Sequence, residues 1–240
     1  MTDPDDRGRR LALAKLTLSL RVTGVRADGY HLLDSEMVTL SLADELEFSS
    51  GDGLEVVGNA PAGLPLDGTN LIARALAAVG RRAHIRVRKL IPLGGGLGGG
   101  SADAAAVLRW AGVADLAVAA SLGGDVPFCL VGGRARVCGV GEEVTPLPFE
   151  ARTFTLLSPP VAVSTVAVYR AWDALGGPTA EGSNDLEPAA LAVEPRLARW
   201  RDELGERTGQ IPRLAGSGAT WFVEGAFTGP GLVTATTQRP

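Results

Sequence analysis

Cysteine is almost missing from this chain of 240 residues, which has two, Cys129 and Cys138. They flank Gly132-Gly133, and a two-residue turn there would set Val131 against Arg134 and Cys129 against Arg136, out of register for a bridge. Both are expected to remain small buried thiols in a reducing compartment. A basic excess is missing too, with 23 Lys and Arg against 27 Asp and Glu. Proteins that rely on phosphate-backbone contacts carry a surplus of cations, so nucleic acid is not an expected partner. Long apolar runs are also lacking: Met1 to Arg10 is polar, and the apolar stretch that follows is interrupted by Lys15. Neither a signal peptide nor a membrane-spanning helix is expected, and the chain reads as cytoplasmic. No internal repeat or low-complexity tract is present. With 45% hydrophobic and 21% charged residues, the chain can bury a core without disulfides or metals.

What is present alternates. Leu11 to Val22 puts Ala12, Ala14, Leu16, Leu18, Leu20 and Val22 on one face and Lys15, Thr17, Ser19 and Arg21 on the other, the period of a strand with one core face. Arg26 to His31 reads as a turn, followed by strands at Ser35–Leu42, Asp44–Phe48 and Gly53–Val57. Thr69-Asn70 caps a helix that Gly80 terminates, and His84–Leu90 alternates with Ile85 and Val87 inward. A glycine-rich loop leads into a helix from about Ser101 to Trp110; a second helix lies near Asp115–Leu122. Strands Pro127–Val131 and Arg134–Val140 then form a hairpin, and Glu142–Arg152, with its prolines and weak periodicity, marks a domain boundary.

The second part opens on a strand, Thr153–Leu157, and a helix from Ser164-Thr165 to Leu175. A helical stretch from Glu187 to Leu204 is broken at Pro195, which serves as the first residue of a new helix burying Leu197, Trp200 and Leu204. A second glycine loop, Ala215 to Ala219, enters a strand through Val223. The expected organisation is α+β: a disordered tail over 1–10, an N-terminal domain over 11–148 and a C-terminal domain over 149–240.

The segment from Pro92 to Ala105 is the most informative. Gly94, Gly95, Gly96, Gly98, Gly99 and Gly100 fill six of seven positions before Ser101, an entropic cost that no simple turn requires. Placed before a helix, they let backbone N–H groups approach an anion while the helix N-terminus adds positive potential, so a polyphosphate is the expected ligand. A flexible linker would not sit between an amphipathic strand and an Ala-rich helix. Gly94, Gly96 and Gly99 satisfy G-x-G-x-x-G, but Arg86 and Arg88 on the preceding strand and the lack of a downstream strand-ending acidic residue argue against a dinucleotide fold. No Lys precedes Ser101, which excludes a Walker A loop.

Leu93 to Ala105 resembles the phosphate-binding motif of the GHMP kinases. Four further segments are similar to one branch of that family, in the same order: Ala14 to Leu18 continuing to Gly29-Tyr30-His31, Leu122 to Pro127, Ser183 to Leu186, and Leu214 to Ala219. The resemblance implies a two-domain fold, with an N-terminal domain like ribosomal protein S5 and a ferredoxin-like C-terminal domain. It implies an ATP-dependent kinase using Mg²⁺ and acting on the 2-hydroxyl of a cytidine-diphosphate-linked methylerythritol, in the non-mevalonate isoprenoid route.

The roles it implies fall on particular residues. Lys15 and Asp125 become a catalytic pair; the six glycines and Ser101 hold the phosphates, with Ser101 also near Mg²⁺; Asn70 and Lys89 lie near the ATP base. Tyr30, His31 and Tyr169 surround cytosine, and Thr17, Thr165, Gly216 and Gly218 complete the acceptor site. From the residues alone, Lys15 also reads as a solvated edge lysine, Asp125 as a turn residue, Ser101 and Asn70 as helix caps, Lys89 as a surface lysine and Tyr169 as a core aromatic. Three departures from the family's pattern stand out: Thr17 where Asn is common, Asp103 where Asn is frequent, which adds negative charge near phosphates, and about sixteen residues after Glu224 without helical pattern. The family has a helix and a terminal strand there, so the C-terminal domain is expected to be trimmed. A sister kinase acting on another small alcohol, a non-catalytic nucleotide-binding relative and an RNA-binding module are the competing readings.

Overall fold

The computed structural model describes residues 8–58 and 64–239. Two long antiparallel strands, β1 (Arg9–Val25) and β2 (His31–Ser49), form its spine, joined by a turn in which Gly29 takes φ +87°. The strand starts at Arg9, with Arg9 and Arg10 paired to Glu47 and Leu46, so the expected tail does not reach residue 10; residues 1–7 lie outside the described residues. The two strands expected over Ser35–Phe48 are one. Leu13 pairs with Ala43 and Lys15 with Thr39, so four steps of β2 face two of β1, and the strand bends there instead of stopping.

With β3 (Gly53–Val56), β4 (His84–Arg88), β5 (Arg134–Gly139) and β6 (Glu143–Leu147) these strands make a six-stranded sheet in the order β3-β4-β2-β5-β6, with β1 on β2. Its helices are α1 (Leu71–Ala78), α2 (Gly99–Trp110), α3 (Leu116–Leu122) and α4 (Val126–Val131). Every residue of α2 from Ala102 to Leu108 is buried, Asp103 among them, so the helix is packed on several sides.

Helix α4 replaces the expected strand Pro127–Val131, so the hairpin with Arg134–Val140 does not form. Pro127 fits a first helical turn, Cys129 N–H donates to Asp125 O (3.0 Å), and neighbouring Phe128 and Cys129 are both buried, which a strand with one core face would not allow. Both cysteines are free, but Cys129 lies buried in α4 and Cys138 half-buried in β5, so their separation owes nothing to hairpin register.

A second sheet, ordered β10-β7-β9-β8, comprises β7 (Thr153–Leu157), β8 (Arg213–Leu214), β9 (Trp221–Glu224) and β10 (Leu232–Thr236). It carries α5 (Thr165–Ala174), α6 (Glu187–Val193) and α7 (Leu197–Thr208). Pro195 precedes Arg196, the N-cap of α7, and so stands outside the helix it was expected to begin. The terminal strand expected to be lost is present: β10 pairs with β7 from Leu232↔Leu157 to Thr236↔Thr153, and Gln238 N–H donates to Thr39 O (2.9 Å) in the first sheet. No helix occurs between Glu224 and β10. Among the described residues no helix is long and apolar enough to cross a membrane.

Candidate active site

Lys15 lies on the face of β1 that alternation marks as polar, yet only 6% of its side chain is exposed. Register shifts on either side, at Leu13/Lys15 and Thr17/Ser19, turn this part of the strand away from regular pairing. The ammonium donates to Thr17 Oγ1 (3.1 Å) and faces Asp125 Oδ2 at 3.3 Å. A buried ammonium needs such partners, and the solvated edge lysine is thereby excluded. Asp125 occupies the N-cap position of α4 but makes no side-chain capping bond; its carboxylate stays 36% exposed, opposite Lys15.

The loop from Pro92 to Ser101 walls a cavity of about 290 Å³ into which Lys15, Thr17, Asp125, Thr165 and Gly216 also project. The first-turn N–H groups of α2, at Gly99, Gly100 and Ser101, have no acceptor in their own helix, which suits an anion. The N-cap is Gly98, in the left-handed region at φ +69°, so Ser101 is the third helical residue and not the cap. Two of the glycines answer to protein contacts as well as to a ligand. A Cβ on Gly96 would stand 2.1 Å from Ala215 O, and one on Gly98 would stand 2.8 Å from Lys15 Cγ. The two glycine loops are joined by Ala219 N–H to Gly94 O (3.2 Å) and Thr220 N–H to Gly95 O (3.1 Å), and Lys15 N–H donates to Leu97 O (3.0 Å).

Asn184, buried in the Ser183–Leu186 segment, positions the second loop. Its amide donates to Leu214 O (2.9 Å) and Gly216 O (2.7 Å), while its Oδ1 accepts from Leu186 N–H. Thr165 Oγ1 lies 2.9 Å from Ser217 Oγ, closing the loop against the start of α5. Gly216 reaches the cavity; Gly218 is buried, with its missing Cβ directed at Leu214, and does not line it.

The structure gives other sequence candidates inward-facing duties. Asn70 caps α1, accepting from Ile72 N–H (2.8 Å) and donating to Pro65 O (2.7 Å), so both ends of its amide are engaged. Lys89 borders the cavity, but its ammonium is buried between Asp44 and Asp103, 2.6 Å from Asp103 Oδ2. Burial alone would lower that ammonium's pKa, and the two carboxylates reverse the effect and raise it. Asp103, expected to add charge beside phosphates, instead turns into the protein: burial pushes its carboxyl up to about 7 despite Lys89, and its Oδ1 has no hydrogen-bond partner. Asp44 also accepts from Leu90 and Ile91 N–H (2.5 and 2.8 Å), pinning the start of the glycine loop. Asp44 had no sequence signal beyond its place in a strand, where an internal carboxylate invites a search for a cation.

A second basin of about 440 Å³ adjoins the first, sharing Leu33, Thr165 and Tyr169 as walls. Tyr30 stands 62% exposed at its edge, with the Arg26 guanidinium 5.5 Å from its ring. The His31 ring lies 4.6 Å from the Tyr169 ring at 31° and meets Trp172 edge-on at 5.5 Å. Its Nε2 is 2.8 Å from Asp173 Oδ1, a partner the sequence did not single out. Tyr169 is packed against the second core cluster and also faces both basins; burial, and then the charge of Asp125, raise its phenol pKa.

The model described as "GHMP kinases N terminal domain" matches residues 70–133. A curated 4-diphosphocytidyl-2-C-methyl-D-erythritol kinase from Cereibacter sphaeroides is 39% identical over 241 residues, covering 88% of this chain and 87% of that protein. One from Paracoccus denitrificans is 41% identical over 234 residues, 89% and 85% of the two chains. A crystal structure of 4-(cytidine 5'-diphospho)-2C-methyl-D-erythritol kinase superposes with a TM-score of 0.75 at 33% identity, across 97% of this chain and 100% of that one. A mevalonate kinase structure, 13% identical with a TM-score of 0.54 over 90% of each chain, shares the fold alone. Identity at this level along nearly the whole length places the chain among the ATP-dependent small-molecule kinases: it belongs to the GHMP kinase family, in the branch of the 4-diphosphocytidyl-2-C-methyl-D-erythritol kinases.

Proposed function

We propose that this protein transfers the γ-phosphoryl group of ATP to the 2-hydroxyl of 4-(cytidine 5'-diphospho)-2-C-methyl-D-erythritol, in the cytoplasm, as a step of the non-mevalonate isoprenoid route. The observation that carries this reading is the Lys15–Asp125 pair, 3.3 Å apart beside the glycine loop, in the basin that adjoins the aromatic one. Phosphoryl transfer asks a protein for positioning and charge stabilisation, with a group to orient the attacking hydroxyl. In this reading the ATP phosphates rest on the free amides at the start of α2. Asp125 accepts a hydrogen bond from the attacking hydroxyl and takes its proton as the new P–O bond forms. Lys15 pairs with Asp125 and offsets charge on the transferring group, while Thr17 Oγ1 holds the ammonium in place.

Mg²⁺ supplies charge neutralisation on the phosphates when bound, and Ser101 is the residue that would hold it. Ser101, the third residue of α2, lines the cavity and offers a hydroxyl oxygen, the kind of hard donor Mg²⁺ takes. Tyr30 and Tyr169 flank the pyrimidine, His31 reads its edge, Thr165 walls both basins and Gly216 the first. An ATP-consumption assay over a panel of acceptors tests the proposal. Turnover is expected with the cytidine-diphosphate methylerythritol and not with homoserine, mevalonate or free sugars. Turnover of one of those alone would move the chain to a sister activity, and ATP binding without turnover of any acceptor would make it a non-catalytic relative.

A further inference from the structure

The imidazole of His31 is held on three sides by one face of α5. Tyr169, Trp172 and Asp173 stand at i, i+3 and i+4, the spacing that aligns side chains on a helix, and all three touch the ring. The platform is itself fixed: Trp172 Nε1 donates to Pro178 O (3.0 Å), and the chain passes so close over the indole that a Cβ on Gly177 would stand 2.9 Å from it. An ionised carboxylate only accepts hydrogen bonds, so the 2.8 Å contact between Asp173 Oδ1 and Nε2 requires the proton to be on Nε2. A neutral imidazole with its proton there has a bare Nδ1, which can only accept. Nδ1 has no partner among the described residues, and it is not among the enclosed polar atoms left unbonded, so it is open to a ligand.

We propose that Asp173 is a specificity-positioning residue: by fixing the Nε2–H tautomer of His31 it makes Nδ1 an acceptor, and so selects a pyrimidine with an amino group at C4 over one with a carbonyl. The cytosine edge presents an N4 amino donor where uracil presents an acceptor, and two acceptors facing each other lose a hydrogen bond and repel. Asp173 acts through His31 and does not need to touch the acceptor. The inference rests on the reading of the second basin as the pyrimidine pocket.

The test compares kcat/KM for cytidine- and uridine-diphosphate-linked methylerythritol in the wild type, Asp173→Asn and Asp173→Glu. An Asn amide can donate to Nε2 and so permits the opposite tautomer, whereas Glu keeps an acceptor. Asp173→Asn is expected to lose about tenfold or more of the cytidine preference, the scale of one hydrogen bond, with the KM for ATP unchanged and Asp173→Glu keeping most of the preference. Imidazole ¹⁵N resonances of the wild type report the tautomer without turnover: a proton on Nε2 and none on Nδ1 is expected. A proton on Nδ1, or an Asp173→Asn variant with the wild-type preference, would overturn the assignment while leaving the pyrimidine pocket standing. A wild type that treats both acceptors alike would remove the pocket and the assignment together.

Discussion

Two lysines are buried within the wall of the glycine-loop cavity, and their surroundings differ. Lys15 shares one carboxylate with the open cavity, since Asp125 is 36% exposed, and borrows a hydroxyl from Thr17. Lys89 is sealed between two carboxylates, Asp44 and Asp103, that are as buried as it is. One cation faces an anion still open to the cavity; the other is enclosed, joining β2, the end of β4 and α2 around the roots of the glycine loop. Proximity to the cavity is common to both lysines, and the exposure of the anion facing each is what we propose separates chemistry from scaffolding.

Substitutions on either side test that contrast, beginning with the largest expected effect. Asp125→Asn should lower kcat by about 10²- to 10⁴-fold, the range for losing a positioned acid or base, with ATP affinity little changed. Steady-state kinetics alongside ATP titration would check it, and near-normal turnover would remove Asp125 from the mechanism. Lys15→Ala belongs with it: a change confined to KM would mean uniform binding and not transition-state stabilisation.

On the sealed side, Lys89→Met leaves two buried carboxylates without their cation. Removing one partner of a buried ion pair costs about 3 to 5 kcal/mol, so urea unfolding should show a large loss of stability while the folded fraction turns over at a rate near that of the wild type. A stable variant with lost turnover would mean that Lys89 works on the ligand after all, and the distinction between the lysines would collapse.

The open side can be sharpened at its far wall. Stacking on a base contributes about 1 to 3 kcal/mol, so Tyr169→Ala should weaken acceptor binding by roughly 5- to 150-fold, and Tyr169→Phe far less. Acceptor titrations at saturating ATP would show it, and equal losses in the two variants would take the ring out of the stacking role.

The smallest effect concerns pH. Asp103 holds its proton up to about 7 in the folded protein, above the ordinary carboxyl range, so the folded state binds a proton that the unfolded chain has already released. Its contribution to stability is complete below about pH 4 and is lost as pH rises through 7. Asp103→Asn should flatten that slope, gaining on the wild type at pH 8 relative to pH 5. Parallel urea midpoints at the two pH values would show that Lys89 keeps Asp103 ionised throughout.

The same contrast explains what could be read from the residues. Alternation marked β1, and the glycine run before an Ala-rich helix marked an anion site, because both patterns follow from local geometry. Resemblance to a family brought Lys15 and Asp125 together, and they do meet across β1 and α4. It assigned Lys89 and Asn70 to ATP on the same footing, and here the burial of a neighbour decides: Asp44 and Asp103 close over one, and the start of α1 consumes the other. A run as short as Pro127–Val131 carries too little periodicity to separate helix α4 from the expected strand. The period of β10 is faint, only Ala235 among its residues being fully buried; its place is set by pairing with β7 and by Thr236 N–H donating to Ser41 Oγ (3.0 Å).

The pair of hydrogen bonds from Ala219 and Thr220 to Gly94 and Gly95 has a bearing on traffic. They fasten the two glycine loops to each other, and just past β10 the Gln238 N–H fastens the end of the second sheet to Thr39 of β2. A cleft fastened at both places resists gaping like a jaw. Nucleotide and acceptor are then expected to come and go over the rim, past exposed side chains such as Tyr30, and not by the two sheets parting.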